Sequence, residues 1–102
     1  MDIFNLSKEI IVLTGVTGNL GINYANELLE RDAVVVGLDL KKNKNIVNLE
    51  QNYSSKFLFL KCDITSKHEL NNVKNVIIEK FSFPTVLINN AAIDSPPSAP
   101  IE

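Results

Sequence analysis

Three glycines, Gly15, Gly18 and Gly21, stand three residues apart immediately behind the apolar run Ile10-Ile11-Val12-Leu13 and Thr14. A strand that ends in such a turn and passes straight into a helix exposes backbone N–H groups and the positive end of a helix dipole, which together receive a phosphate or pyrophosphate. Each glycine has a part: Gly15 permits the tight turn, Gly18 lets backbone approach the ligand with no Cβ between them, and Gly21 lets the helix pack closely.

A little over twenty residues on, Asp39 closes a second apolar run, where a carboxylate can accept from the hydroxyls of an adenosine ribose. Its charge repels a 2′-phosphate, which favours NAD over NADP. Lys41 and Lys42, just beyond, argue the other way as ammonium partners for that phosphate, or form a solvated loop. Asp63 at the end of a third run has two readings, an acceptor for an adenine amino group or the opening residue of a turn. Asn89 and Asn90 follow a fourth run, at the ligand-binding edge of an open parallel sheet; they either bridge strands and line the cofactor groove or make an ordinary turn. Cys62 reads as a small buried hydrophobe. His68 falls in the first turn of an expected helix and has no second histidine to pair with, so no metal site is expected.

The elements that must position these residues follow from periodicity. Ile10 to Leu13 and Val34-Val35-Val36-Gly37-Leu38 are strands apolar on both faces, which belong in a sheet covered on both sides. Between them Ile22, Ala25, Leu28 and Leu29 recur at helical spacing over residues 20–31, completing a βαβ unit. Residues 41–44 are expected as a polar loop and 46–53 as a short, weakly patterned helix. Phe57-Leu58-Phe59-Leu60 is a third strand. Ser66 and Glu69 have capping-box spacing ahead of Leu70, Val73, Val76, Ile77 and Phe81, which predicts a helix over residues 66–80. Thr85-Val86-Leu87-Ile88 is a fourth strand, and Ser95-Pro96-Pro97-Ser98-Ala99-Pro100 predicts an extended tail over residues 93–102. With nothing after it, that fourth strand would be an exposed hydrophobic edge.

With 102 residues there is room for one core. An apolar fraction of 45%, a charged fraction of 22% and a net charge of -2 match a soluble globular chain and leave no electrostatic footprint for nucleic acid or an anionic membrane. A small-molecule partner is expected. A single cysteine and an N-terminus without a signal-peptide pattern point to the cytoplasm.

Three of these segments carry a resemblance. Thr14-Gly15-Val16-Thr17-Gly18-Asn19-Leu20-Gly21 resembles the cofactor fingerprint of the short-chain dehydrogenase/reductase family, Asp63-Ile64-Thr65 its adenine-contacting acidic motif, and Asn89-Asn90-Ala91-Ala92 its Asn-Asn-Ala-Gly signature. The resemblance runs over residues 6–92. It implies a Rossmann-type α/β sheet of about four strands in the order 3-2-1-4 with helices on both faces, incomplete relative to the family. It also implies an NAD(P)-binding domain over residues 1–92 for alcohol oxidation or ketone reduction, in a family whose members are usually homo-oligomers. As cofactor contacts it implies Thr14, Gly15, Thr17, Gly18, Asn19, Leu20, Gly21, Asp39, Asp63, Ile64, Asn89, Asn90 and Ala91.

The chain departs from the family's pattern in four places. Its glycines follow T-G-x-x-G-x-x-G, commoner in sugar-nucleotide epimerases and dehydratases, whereas the branch with Asn-Asn-Ala-Gly usually shows T-G-x-x-x-G-x-G. Oxidoreductases of flagellin modification and surface-sugar synthesis combine both features, and residues 88–94 are similar to theirs. Ala92 replaces the signature's last glycine, and Asp32 stands where a glycine usually follows the first helix. The family's proton donor is a tyrosine four residues before a lysine, with a serine assisting; here Tyr24 is followed at that spacing by Leu28 and Tyr53 by Phe57. No catalytic residue carries over. The expectation is the cofactor-binding portion of an NAD(P)-dependent oxidoreductase, without turnover as given and taking a small-molecule substrate only in a longer form. The alternatives are a non-catalytic dinucleotide- or partner-binding module, and the front half of an epimerase or dehydratase.

Overall fold

The computed structural model describes residues 5–91. Along them run β1 (Ile10–Thr14), α1 (Asn19–Glu30), β2 (Val34–Asp39), α2 (Lys44–Asn52), β3 (Phe57–Lys61), α3 (Lys67–Lys80) and β4 (Val86–Asn89). Ala92 and the Pro-rich stretch expected over 93–102 lie outside the described residues.

The four strands form one parallel sheet in the order β3-β2-β1-β4, the Rossmann-type arrangement that the resemblance implied. Alternate side chains of β1 and β2 divide between two cores, as the period of two requires. Ile11, Leu13 and Val35 pack with Ala25 and Leu29 of α1 and Ile46 and Leu49 of α2. Val12, Val36 and Leu38 pack on the other face with Cys62 and with Val73 and Ile77 of α3. Helices therefore cover both faces, and β1, in the middle, is buried along Ile11, Val12, Leu13 and Thr14.

Chain direction decides where a ligand can sit. From β1 the sheet grows outward to β2 and β3, then α3 carries the chain back across to β4 on the other side of β1. The strand order thus reverses between β1 and β4, and the crevice at the C-terminal ends of those two strands is where open α/β sheets bind ligands. Thr85 fixes the far end of this seam: its Oγ1 accepts from Ile10 N–H (2.9 Å) and donates to the Ile10 carbonyl (3.2 Å). The resulting register sets Thr14 beside Asn89.

The helix ends lie within two residues of their sequence expectation, and α3 ends at Lys80 as expected. Helix α2 begins at Lys44, two residues before the expected start, because Asn43 caps it by accepting from Ile46 N–H. Ser66 caps α3 as its spacing predicts, accepting from Glu69 N–H at 3.2 Å. The Glu69 carboxylate, however, reaches past Ser66 to accept from Asp63 N–H (3.1 Å), so only half of the capping box closes. Of the five-residue stripe expected on α3, Val73 and Ile77 are buried, while Leu70 and Val76 are exposed. Between α3 and β4 the sheet is incompletely covered, leaving a mainly apolar groove of about 490 Å³ that Leu70 borders. The edge of β4 is correspondingly open among the described residues, with Leu87 66% exposed.

Asp32 ends α1 in the left-handed region at φ 69°. Its N–H donates to the Leu29 carbonyl and that of Ala33 to the Leu28 carbonyl, the paired bonds of a Schellman motif, which usually places glycine here. Aspartate tolerates this backbone better than most residues, and its carboxylate is held from two sides, by Lys56 Nζ at 2.7 Å and Asn5 Nδ2 at 3.2 Å. The hydrogen bond and charge of Lys56 lower the Asp32 pKa below its ordinary 3.8. A depressed carboxylate contributes stability that is fully present above the unfolded value and is lost as pH falls through the folded one. Lys56→Met is therefore expected to melt below the wild type at neutral pH and to converge with it as pH drops below 3.8, in paired thermal melts.

Candidate functional site

Thr14, the last residue of β1, is only 5% exposed, and its hydroxyl is shared among three partners. Oγ1 donates to Asn89 Oδ1 (2.9 Å) and accepts from the N–H groups of Asn90 (2.9 Å) and Ala91 (3.0 Å). Asn90 Nδ2 in turn donates to the Gly15 carbonyl (3.3 Å). The polar pair at the end of β4 therefore bridges to β1 and ties down the start of the glycine turn. Gly15 itself sits at φ 67°, and a Cβ there would lie 2.8 Å from Ala91 Cα. Only glycine fits between the two strand ends.

The rest of the turn is held from β2. Gly15 N–H donates to the Leu38 carbonyl at 2.9 Å. Val16 buries its side chain completely against Gly37, where a Cβ would come within 2.8 Å of Val16 Cγ1. Thr17 donates twice to Asp39 Oδ2, from N–H at 3.0 Å and from Oγ1 at 2.6 Å, while Asp39 Oδ1 accepts from Leu40 N–H at 2.8 Å. Asn43 Nδ2 donates to the Thr17 carbonyl at 2.9 Å.

Beyond this anchored turn the start of α1 is open. Gly18 is its N-cap, without a side-chain cap and with no acidic residue in the first turn. Helices α2 and α3 are both capped by side chains, and α3 carries Glu69 in its first turn. The first intrahelical bond runs from Ile22 N–H to the Gly18 carbonyl (2.9 Å), so the N–H groups of Asn19, Leu20 and Gly21 find no acceptor among the described residues. Gly18, Asn19 and Leu20 are exposed. Three donors at the positive end of a dipole, free of competing carboxylates, fit an anionic diphosphate.

Besides Gly18, Asn19, Leu20 and Gly21 at the start of α1, the sequence-derived site residues fall into two connected groups, with Asp63 and Ile64 apart from them. Thr14, Gly15, Asn89, Asn90 and Ala91 form one cluster, and Thr17 and Asp39 form a second beside it. Asp63 is bonded within its own turn, its Oδ1 accepting from Thr65 Oγ1 (2.6 Å) and Thr65 N–H (2.9 Å), and the Thr65 hydroxyl and amide hold its pKa below the usual 3.8. Ile64, next to it, lines the groove between α3 and β4 together with Thr14 and Asn89. Burial, with Glu69 and Asp63 nearby, pushes the Cys62 thiol up, as suits an inert core residue. No cluster of metal-ligating residues and no helix long and apolar enough to cross a membrane occurs among the described residues. Val16, Gly37 and Asn43 escaped the sequence reading; the spacing of Asn43 to Ile46 and Leu49 is the one signal that could have revealed its capping role.

The family model for short chain dehydrogenases matches residues 9–102. The chain belongs to the short-chain dehydrogenase family. It is 32% identical over 96 residues to a benzil reductase ((S)-benzoin forming) of Bacillus cereus, covering 90% of this chain and 38% of that relative. An NADPH-dependent pterin aldehyde reductase of Arabidopsis thaliana is 30% identical over 87 residues, 84% of this chain and 36% of the relative. Among solved structures, one described as a D-mannonate oxidoreductase from Haemophilus influenza with bound NAD superposes with a TM-score of 0.79 at 27% identity, over 90% of this chain and 34% of the other. The chain thus spans a little over a third of the length of the curated short-chain dehydrogenases it matches.

Proposed function

We propose that this chain is the dinucleotide-binding portion of a short-chain NAD(P)-dependent oxidoreductase, with residues 1–92 as the binding unit. The open N-terminus of α1 behind an anchored glycine turn carries the reading. Gly18, Asn19, Leu20 and Gly21 would hold the pyrophosphate, with Thr14, Gly15 and Thr17 setting the turn. Asp39 would accept from the adenosine ribose, Asp63 and Ile64 would border the adenine, and Asn89, Asn90 and Ala91 would wall the crevice on the β4 side. When bound, the nicotinamide supplies or accepts the hydride that interconverts an alcohol and a carbonyl. Within residues 1–102 no tyrosine stands four before a lysine, so these residues contribute cofactor contacts and not the family's proton donor. Relatives and neighbours include proteins named for or holding NADPH and others named for or holding NAD, so the choice here rests on Asp39. A buried lone thiol at Cys62 suits a reducing cytoplasm.

Isothermal titration with NAD, NADP and ADP tests this. NAD is expected to bind more tightly than NADP, because the Asp39 carboxylate repels a 2′-phosphate. Asp39→Asn keeps an acceptor for Thr17 and removes the charge, and it should shrink the preference by on the order of tenfold. Absence of binding by all three would refute the reading.

A further inference from the structure

We infer that Asn43, outside the glycine turn and far from it in sequence, is a positioning residue for the phosphate cradle; the inference rests on the dinucleotide reading above. Its amide works in two directions. Oδ1 accepts from Ile46 N–H at 3.1 Å and caps α2, while Nδ2 donates to the Thr17 carbonyl at 2.9 Å. Helix α2 is anchored by Ile46 and Leu49, both buried in the core shared with α1 and β1. Asn43 therefore joins the turn with glycine at 15 and 18 to a helix seated in the core.

Thr17 is consequently held at three atoms: its N–H and Oγ1 by Asp39 and its carbonyl by Asn43. Fixing that carbonyl fixes the peptide plane leading into Gly18, the N-cap from which the free N–H groups of α1 begin. A glycine turn left to itself samples many conformations, and ordering it on ligand binding costs conformational entropy. The clamp meets that cost during folding, so the donors stand ready for the phosphates. Asparagine suits the position because two separate atoms of its amide serve the cap and the clamp at once; aspartate has no donor, and the single, shorter hydroxyl of serine can cap α2 but has no second atom to extend to the Thr17 carbonyl.

That difference separates the two roles. Asn43→Ser keeps a good N-cap for α2 and removes the Nδ2 donor without adding charge. It is expected to leave the melting temperature close to wild type and to weaken ADP and NAD binding equally, by roughly three- to tenfold, the worth of one neutral hydrogen bond. Adenosine, which has no phosphate, should bind wild type and variant alike in ligand-detected NMR. Amide exchange at Thr17 and Gly18 should accelerate in the variant. Unchanged ADP affinity, or an equal loss for adenosine and ADP with a lowered melting temperature, would reduce Asn43 to a helix cap and overturn the inference. If the wild type binds no ADP, the dinucleotide reading fails and amide exchange alone decides the clamp: no acceleration at Thr17 and Gly18 overturns it.

Discussion

Gly21→Ala is expected to destabilise the domain by about 3 kcal/mol, the upper range for overpacking. At roughly 4–8 °C per kcal/mol for a domain of this size, the melting temperature should fall by about 12–24 °C. The magnitude follows from what the new methyl would strike. Its carbon would lie 2.2 Å from the Gly15 carbonyl oxygen and 2.8 Å from Val16 Cα, both backbone atoms. Neither can rotate away, because Val16 is locked against Gly37 and Gly15 is wedged against Ala91. Helix α1 must lift off the turn, withdrawing Ala25 and Leu29 from their core. Gly18→Ala is the informative control: the nearest atom to its Cβ is 3.7 Å away, an ordinary contact, so the fold should tolerate it with a much smaller change. Thermal melts of the two variants measure the contrast, and equal melting temperatures would contradict this account of the turn.

Thr14→Val is expected to cost about 2–6 kcal/mol although it changes the shape of the side chain very little. The valine cannot accept from Asn90 and Ala91 N–H, and two part-buried donors are left without a partner at roughly 1–3 kcal/mol each. Asn89 Oδ1 loses its donor as well. Thr14→Ser retains all three bonds and should recover most of the loss. Chemical denaturation quantifies the energies, and amide exchange at Asn90 and Ala91 locates them. The expected signature is faster exchange at this seam in Thr14→Val, with the β1–β2 ladder much less affected. If valine and serine variants are equally stable, the hydroxyl does not hold the seam.

The sheet and the glycine turn were legible because they are written in local patterns: β-branched runs for β1 and β2, three glycines at fixed spacing, an acid closing β2. What escaped was set by tertiary contacts. Gly37 looks like a flaw in a strand until Val16 is seen filling the space above it. Asn43 sits in a lysine-rich polar stretch, and its two bonds become visible only once α2 lies beside the turn. Periodicity marked Leu70 and Val76 as core, but α3 overlaps the sheet along only part of that stripe. Asp32 shows the converse: the missing glycine was evident in the sequence, whereas its remedy through Lys56 and Asn5 was not. Asp63 has two readings in the sequence, and its bonds to Thr65 show the turn while the adenine contact stays a proposal.

The seam between β1 and β4 joins residues that are 75 positions apart, as Thr14 and Asn89 are. Strands β1, β2 and β3 can assemble in sequence, each closing a short loop through one helix. Strand β4 must instead find β1 across almost the whole length of the described chain, and closing so long a loop carries an entropic cost that only the finished contacts offset. On loop-closure grounds this seam is expected to form late in folding. A ligand gripping both strand ends would act as a staple across the strand pairing with the longest sequence separation among the described residues, slowing its unfolding.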